Sequence, residues 1–362
     1  MRLVFILESD LILMSSNSIF AAAFDMKSTP VRFILFLVFL LLSAGAEGQL
    51  LSEEDRFLAT LKLTETPPAE LLSSRSAVLF SSLYSQRELE EIQKGFQQIG
   101  IDAVSYVESE RALAGRDLMT VYSRYFVKRN IKFLLFMKKD KQEYQFYFVP
   151  FNATPRWTEP DPSAWFVHSV KVYGVLQTIY RSVISTQKRQ NFLVNDYPER
   201  SGPFGAISTN ARRDENLAPN IRVLKLAVPK TGDAGADAEL EAYLKENFKV
   251  KYEMVEPNAE EKDLVQNGFI YVLRFIHAPG SLAKEILGYD MNKAESALMS
   301  ASYPGGTMQL KTIPSEATVY KFYIKHIEDN IFYLGLKWDA DVTWQEALKN
   351  HADGYRAAGR LN

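Results

Sequence analysis

The run 131-IKFLLFM-137 decides the fold, because it is apolar at consecutive positions and therefore on both faces of a strand. A strand of this kind is typical of the centre of a parallel sheet that helices cover on both sides. A second run with the same character, 269-FIYVLRFI-276, occurs in the other half of the chain. We therefore expect two α/β sheets, each built around one of these strands.

Hydrophobic periodicity around the first run predicts alternating strands and helices. Ser85 and Glu88 have the spacing of a capping box, and the apolar positions that follow recur at helical spacing up to Gly100. The first half is predicted to contain strands at 77–80, 101–107, 131–137 and 144–149, a helix before Gly100, a helix at 112–128, and a last long helix carrying Trp165 and Ile179.

The second half repeats this order. Its predicted elements are strands at 221–228, 249–254, 269–276, 319–326 and 331–336, a helix that Asp237 can cap, a short helix ending at Asn267 and Gly268, an extra segment at 282–314, and a terminal helix carrying Trp344 and His351. We therefore predict two similar β-α-β-α-β-β-α domains, each a mixed, mostly parallel sheet with helices on both faces. The weak residue identity between the halves leaves a diverged duplication and plain α/β regularity as alternatives.

Composition shifts along the chain predict the domain boundaries. Residues 195–220 are rich in Pro, Gly, Ser, Asn and charge, which favours an exposed connector. We assign 49–194 to the first α/β domain, 195–220 to a linker and 221–362 to the second α/β domain.

The N-terminal segment has the layout of an export signal. Residues 26–48 combine the basic Lys27 and Arg32, an apolar run at 33–42 and a small-residue close at 44–46, as in a secretory signal peptide. The apolar run is too short for a bilayer-spanning helix, so no membrane span is expected after cleavage. Residues 1–25 are interpreted as an over-extended start, with Met26 as the true first residue. If Met1 is genuine, an uncleaved signal anchor is the alternative.

Composition narrows the classes of function. The chain has no cysteine, so disulfides and thiolate metal sites are excluded. Its formal net charge of −2 argues against a nucleic-acid partner, which usually requires a basic excess. Neither a G-x-S-x-G elbow nor an H-E-x-x-H motif occurs, so nucleophilic hydrolysis and zinc hydrolysis have no support. We predict no cofactor, no metal and no catalytic residue.

The best candidate for a ligand site is the loop that begins 230-KTGD-233, between a strand and a helix. Glycine at 232 lets backbone amides approach an anion, and the helix that follows favours negative charge at its start. Asp233 would oppose a phosphate there, and a flexible loop with an aspartate cap is the alternative. His277 ends a buried strand, at the sheet edge where parallel sheets commonly bind ligands. The predicted ligand-binding residues are therefore Lys230, Thr231, Gly232, Asp233 and His277.

Several other residues allow two structural interpretations. Asp339 and Asp341 could cap the last helix or contribute to a cation site, and capping is favoured. His168 and His351 are expected on the apolar sides of the last helices of the two halves, as hydrogen-bonded residues at the rim of the core. The aromatic strands around Tyr147 and Tyr323 could expose rings to a glycan or protein partner, or could pack across the sheet.

These observations predict an exported soluble protein, periplasmic or extracellular, with a non-enzymatic binding or interaction role in the cell envelope. Its partner would be an envelope protein or a small-molecule or glycan ligand. The alternative is a hydrolase or transferase with a site formed between the two domains from residues such as Lys230, Asp233 and His277.

Overall fold

The computed structural model describes residues 57–139, 143–192, 194–200, 202, 205–208, 211–290 and 296–359. All of these residues fall in one compact unit. The predicted signal peptide at 26–48 and the questioned start at 1–25 lie outside the described residues.

Strands and helices alternate through both halves of the described chain. The strands are β1 (Lys62–Thr64), β2 (Arg75–Phe80), β3 (Asp102–Glu108), β4 (Ile131–Lys139), β5 (Tyr144–Pro150), β6 (Ser163–Ser169), β7 (Arg212–Asp214), β8 (Leu226–Pro229), β9 (Tyr252–Val255), β10 (Tyr271–Pro279), β11 (Ala297–Ser302), β12 (Gln309–Pro314), β13 (Thr318–His326) and β14 (Ile331–Tyr333). The α-helices are α1 (Gln86–Ile99), α2 (Ser109–Ala112), α3 (Arg116–Lys128), α4 (Val172–Ile184), α5 (Ala234–Asn247), α6 (Glu261–Gln266), α7 (Gly280–Ile286) and α8 (Trp344–Ala357).

The two halves build six-stranded sheets with the same order of equivalent strands. The first sheet runs β1-β6-β5-β4-β2-β3 and the second runs β7-β14-β13-β10-β8-β9. In the first sheet, β1 and β6, β4 and β2, and β2 and β3 pair in parallel, while β6 and β5, and β5 and β4, pair antiparallel. The equivalent pairs of the second sheet have the same directions. The predicted α/β class with two mixed, mostly parallel sheets is therefore confirmed.

Helices cover both faces of the first sheet, because its strands bury apolar side chains on alternate sides. Val78 of β2 packs in one hydrophobic cluster with α1 and α4, whereas Ala77 and Leu79 pack in another with α3. Helix α1 begins at the predicted capping box, in which the Ser85 side chain accepts a hydrogen bond from the Glu88 backbone and the Glu88 side chain accepts one from the Ser85 backbone.

The second sheet is covered in the same way. Leu226 and Val228 of β8 pack with α5 and α8, while Ala227 faces the other side and packs with α6. Between β10 and β13 the chain inserts α7 and the two-stranded β11–β12 sheet, which have no counterpart between β4 and β5. This insertion corresponds to the predicted extra segment.

Helix α3 of the first half contacts the second sheet. One hydrophobic cluster contains Leu118 and Phe126 of α3 together with Ile276 of β10 and Phe332 of β14. Gly115, directly before α3, lies so close to β10 that a Cβ atom there would be 2.6 Å from the carbonyl oxygen of Phe275. Only glycine fits this approach.

One strand of the first sheet differs from the sequence prediction. Residues 163–169 form β6, so Trp165 lies in a strand and the last helix of this half begins only at Val172. The rings of Trp165 and Phe148 pack with centroids 4.6 Å apart, because β6 pairs with β5 and both strands turn an aromatic face to the core. The hairpin strand β5 is therefore internal to the sheet. His168 is in β6 as well, half exposed and 2.8 Å from Glu143.

One detail of the second half also needs correction. The strand predicted at 221–228 begins at Leu226, and 221–224 is a turn. Of the two alternatives for the aromatic hairpin rings, β13 shows packing within the sheet: Tyr320 and Tyr323 are 1% and 0% exposed. The reason is that β13 lies inside the sheet, between β10 and β14, and packs on both faces.

Part of the segment predicted as a linker pairs with the two sheets. Glu199 and Ser105 form an isolated parallel bridge, and β7 (Arg212–Asp214) adds to the edge of the second sheet beside β14. The boundaries of the two domains stay a prediction. Across the described ranges, no helix has the length and apolarity that crossing a bilayer requires.

Candidate functional site

The candidate site lies at the carboxyl end of β8, beside β10 and the loop that follows β9. Helix α5, which follows β8, and helix α6, which follows β9, pack on opposite faces of the sheet. The loops after two adjacent parallel strands therefore leave in opposite directions and open a crevice between them. Crevices at this position are the usual ligand sites of open α/β sheets.

A cleft occupies this crevice, and we call it the cationic cleft. It holds about 550 Å³ of empty space, a figure that includes open solvent. Three basic side chains and one hydroxyl line it together with apolar side chains. The polar lining residues are Arg116, Lys230, Thr231 and Arg274, and the apolar ones are Val228, Pro229, Leu240, Pro257, Leu273, Phe275 and Phe322. Among the described residues that line the cleft there is no carboxylate, although each of its three cations has one within 4 Å.

The structure brings two of the predicted ligand residues, Lys230 and Thr231, to this cleft. They are the first residues after β8, so the strand itself sets their position. Gly232 follows with a φ of +90°, a left-handed conformation that favours glycine and turns the chain into α5. Its assignment as a ligand residue stays a prediction.

Amides of the loop that was predicted to bind an anion instead donate to the loop's own carboxylates. Asp233 is the N-cap of α5, and its Oδ1 accepts a hydrogen bond of 2.8 Å from the Ala236 amide. Asp237, predicted as the cap, lies in the first helical turn and accepts a hydrogen bond from the Thr231 amide at 2.5 Å. Asp233 is the N-cap because its extended backbone directs its side chain toward the unpaired amides of the first helical turn.

His277 contacts residues outside the loop. Its ring stacks on Tyr320, with the ring centroids 3.9 Å apart, and its backbone amide donates a hydrogen bond of 2.8 Å to the Ala114 carbonyl. No hydrogen bond in the described part of the chain joins it to Lys230 or Asp233. The predicted residues therefore do not form one catalytic constellation.

The basic side chains of the cleft are held by acids that stand outside its lining. Lys230 Nζ donates to Glu256 Oε1 at 2.8 Å, and this bond raises the pKa of the lysine. Arg116 approaches Glu260 at 3.8 Å, and its Nη1 donates to the Pro155 carbonyl at 3.3 Å. These contacts orient the cations, and neither carboxylate is among the residues that line the cleft.

Arg274 connects the cleft to a buried ion cluster between α3 and the second sheet. Asp117 of α3 accepts hydrogen bonds from Lys325 Nζ at 2.7 Å and from the Tyr323 hydroxyl at 2.6 Å. Glu261 accepts one from the same Lys325 at 2.7 Å and one from Arg274 at 3.4 Å. We call these five residues the Asp117 cluster. Asp117, Tyr323, Arg274 and Lys325 are all at least nine-tenths buried.

The charges in the Asp117 cluster support one another. Burial by itself raises the pKa of Asp117, but Lys325 and Arg274 outweigh it, and the pKa lies below its usual range. Burial opposes the positive charge of Arg274, yet Asp117 and Glu261 raise its pKa above the ordinary value. Burial and the adjacent Asp117 carboxylate raise the pKa of Tyr323 well above its usual value. The cluster is therefore charged at neutral pH, and Arg274 keeps a full positive charge at the cleft.

Arg116 and Arg274 were not predicted as site residues from the sequence. Arg274 did carry a signal, because it is the single charged residue in the apolar run 269–276. A charge in a buried strand is costly unless it is paired, so it indicates a partner from elsewhere in the fold. Arg116 carries no such signal, since an arginine in the first turn of a helix is ordinary.

The other titratable residues that were singled out are bound in the core. Asp339 accepts hydrogen bonds from Lys321 at 2.6 Å and contacts His351 Nδ1 at 3.0 Å, and Asp341 pairs with Lys311 at 2.8 Å. Neither aspartate caps α8, because Thr343 does so. Within the described ranges, no three His, Asp or Glu side chains group as metal ligands do.

No protein-family model matches the chain, and no curated protein matches it in sequence.

Proposed function

We propose that the protein binds a small organic anion with an apolar body in the cationic cleft, without catalysing a reaction on it. The observation that carries this proposal is the lining of the cleft, where Arg116, Lys230 and Arg274 lie together with apolar side chains and where the described residues include no carboxylate. An apolar pocket with a few convergent polar groups is the usual form of a small-molecule site. The cations would hold the anionic group, and Leu240 and Phe275 would contact the apolar body.

Binding is favoured over catalysis because the reactive side chains are engaged with different partners. Three of these side chains have three different partners: Lys230 bonds Glu256, Asp233 bonds the Ala236 amide, and His277 stacks on Tyr320. The remaining two, Asp117 and Lys325, form an ion pair with each other. A hydrolase or transferase with a site between the halves remains the second candidate. The Asp117 cluster is the observation in its favour, because groups with shifted pKa values often occur at active sites.

We further propose that the protein is exported and acts in the cell envelope, and that its halves are a diverged duplication. The layout of residues 26–48 supports export. The shared strand order and pairing sense of the two sheets support the duplication.

N-terminal sequencing of the protein recovered from the envelope or medium tests the export proposal. Export predicts a mature chain that begins near residue 49. An intact N-terminus on a cytoplasmic protein would refute it.

Calorimetry with benzoate and benzyl alcohol tests the anion site, since the two compounds share a ring and differ in charge. We expect saturable binding of benzoate and none of benzyl alcohol. Lys230→Gln removes one cation at the exposed rim and should weaken benzoate binding about tenfold, the value of one charge-assisted hydrogen bond. Lys94→Gln, which removes an exposed charge from α1, is the matched control and should leave binding unchanged. Equal binding of both compounds, or an unchanged affinity in Lys230→Gln, would refute the proposal.

A further inference from the structure

A second cleft occupies the equivalent position on the first sheet, at the carboxyl ends of β2 and β3. Helix α1 leaves from β2 to one face and α3, which follows β3, packs on the other. The cleft opens at the point where these connections diverge, as the cationic cleft does on the second sheet. It is the larger of the two, with about 760 Å³ of space open to solvent. We call it the polar cleft.

The polar cleft differs from the cationic cleft in its charges. Two acidic and two basic side chains line it, namely Glu108, Glu285, Arg111 and Arg200. Arg111 and Glu285 already neutralise each other, with Nη2 and Oε1 2.9 Å apart. Glu108 and Arg200 remain as a negative and a positive group on one surface.

The backbone places Glu108 and Arg200 on the same strand edge. Glu108 is the last residue of β3, and Arg200 directly follows Glu199, which bridges in parallel to Ser105 of the same strand. A ligand that carries both charges would place its cation near Glu108 and its anion near Arg200.

The wall of the cleft adds an apolar surface. Phe80 at the end of β2 is partly exposed and supplies it, while Leu89 of α1 lines the cleft but is only 5% exposed. Tyr106 and Tyr122 are 2% and 1% exposed, so their ring faces are not free to stack on a sugar. The geometry therefore favours an apolar side chain on a zwitterionic head over a polyhydroxyl ligand.

We propose that the polar cleft is a second ligand site, specific for zwitterionic small molecules of the α-amino acid class with an apolar side chain. Glu108 would accept hydrogen bonds from the ammonium group, and Arg200 would donate to the carboxylate. The Arg111–Glu285 pair joins α2 of the first half to α7 of the second, so both halves form the wall of this site. The proposal does not depend on the anion site, because the two clefts share no lining residue.

Thermal-shift and calorimetric titrations of the full chain with L-leucine test this site. Leucine methyl ester lacks the carboxylate, N-acetyl-leucine lacks the ammonium charge, and glucose represents a polyhydroxyl ligand. We expect leucine to bind saturably and both blocked analogues to bind about tenfold or more weakly, since each loses a charge-assisted contact. Glucose should produce no shift.

Two variants locate the binding. Glu108→Gln and Arg200→Gln should each weaken leucine binding about tenfold with the melting temperature of the free protein unchanged, because both side chains are exposed. Lys94→Gln is the control, and Lys230→Gln should affect benzoate only. Absence of leucine binding up to about 10 mM, equal binding of N-acetyl-leucine, binding of glucose alone, or unchanged affinity in both variants would overturn the proposal.

Discussion

Replacing Asp117 with asparagine should destabilise the protein strongly, because this carboxylate is the anion that Lys325, Arg274 and Tyr323 share. The substitution keeps the shape of the side chain and removes its charge. Breaking a buried ion pair by removing one partner usually costs about 3–5 kcal/mol. Lys325 and Arg274 keep Glu261 as a partner, so we expect a value near the lower end, about 3 kcal/mol.

Urea unfolding at pH 7 measures this loss as a shift of the midpoint at constant m-value. The matched control is Glu346→Gln, which breaks an exposed pair with Lys349 and should cost less than about 0.5 kcal/mol. Adding Lys325→Met to Asp117→Asn removes the cation that has lost a partner. The double variant should therefore be more stable than Asp117→Asn alone, with a coupling energy of about 1 kcal/mol or more.

The pH dependence gives an independent check. The pKa of Asp117 is lowered in the folded state, so its contribution is fully present above its unfolded value of 3.8 and is lost as the pH falls through the folded value. The difference between wild type and Asp117→Asn should therefore shrink below about pH 4. If Asp117→Asn unfolds within about 0.5 kcal/mol of wild type at pH 7, the cluster does not stabilise the contact between α3 and the second sheet.

The remaining predictions concern single positions and are each measured by urea unfolding. Gly115→Ala should lower the free energy of unfolding by about 2 kcal/mol or more, because the new Cβ would be 2.6 Å from a backbone oxygen. The control Gly354→Ala, whose Cβ meets only a ring carbon at 3.6 Å, should be neutral or up to about 1 kcal/mol stabilising. Equal effects of the two substitutions would contradict the close approach at Gly115. Ser85→Ala removes the cap of α1 and should cost about 1 kcal/mol, and no change would show that the capping box is dispensable. Burial lowers the pKa of His351, so protonation favours the unfolded chain. The free energy of unfolding of the wild type should therefore fall below pH 6.5 by up to about 1.4 kcal/mol per pH unit. In His351→Asn this pH dependence should be absent.

Local signals in the sequence were sufficient for much of the fold. The run 131–137 predicted a strand buried on both faces, and it became the interior strand β4. The Ser85 capping box and Gly100 predicted both ends of α1, and the structure places them there. Periodicity and caps act within one element, so the residues that specify them are neighbours in the chain.

Tertiary structure alone decided the rest. The three-residue strands β1 and β7 exist because β6 and β14 supply their hydrogen-bond partners, and so short a segment has no periodicity of its own. The cationic cleft joins Arg116 of the first half to Lys230 and Arg274 of the second. The sequence predicted Lys230 as a loop residue, but its neighbours depend on the packing of α3 against β10, which no local pattern encodes. The charge of Arg274 in an apolar run required a partner, and only the folded chain shows that Asp117 and Glu261 supply it.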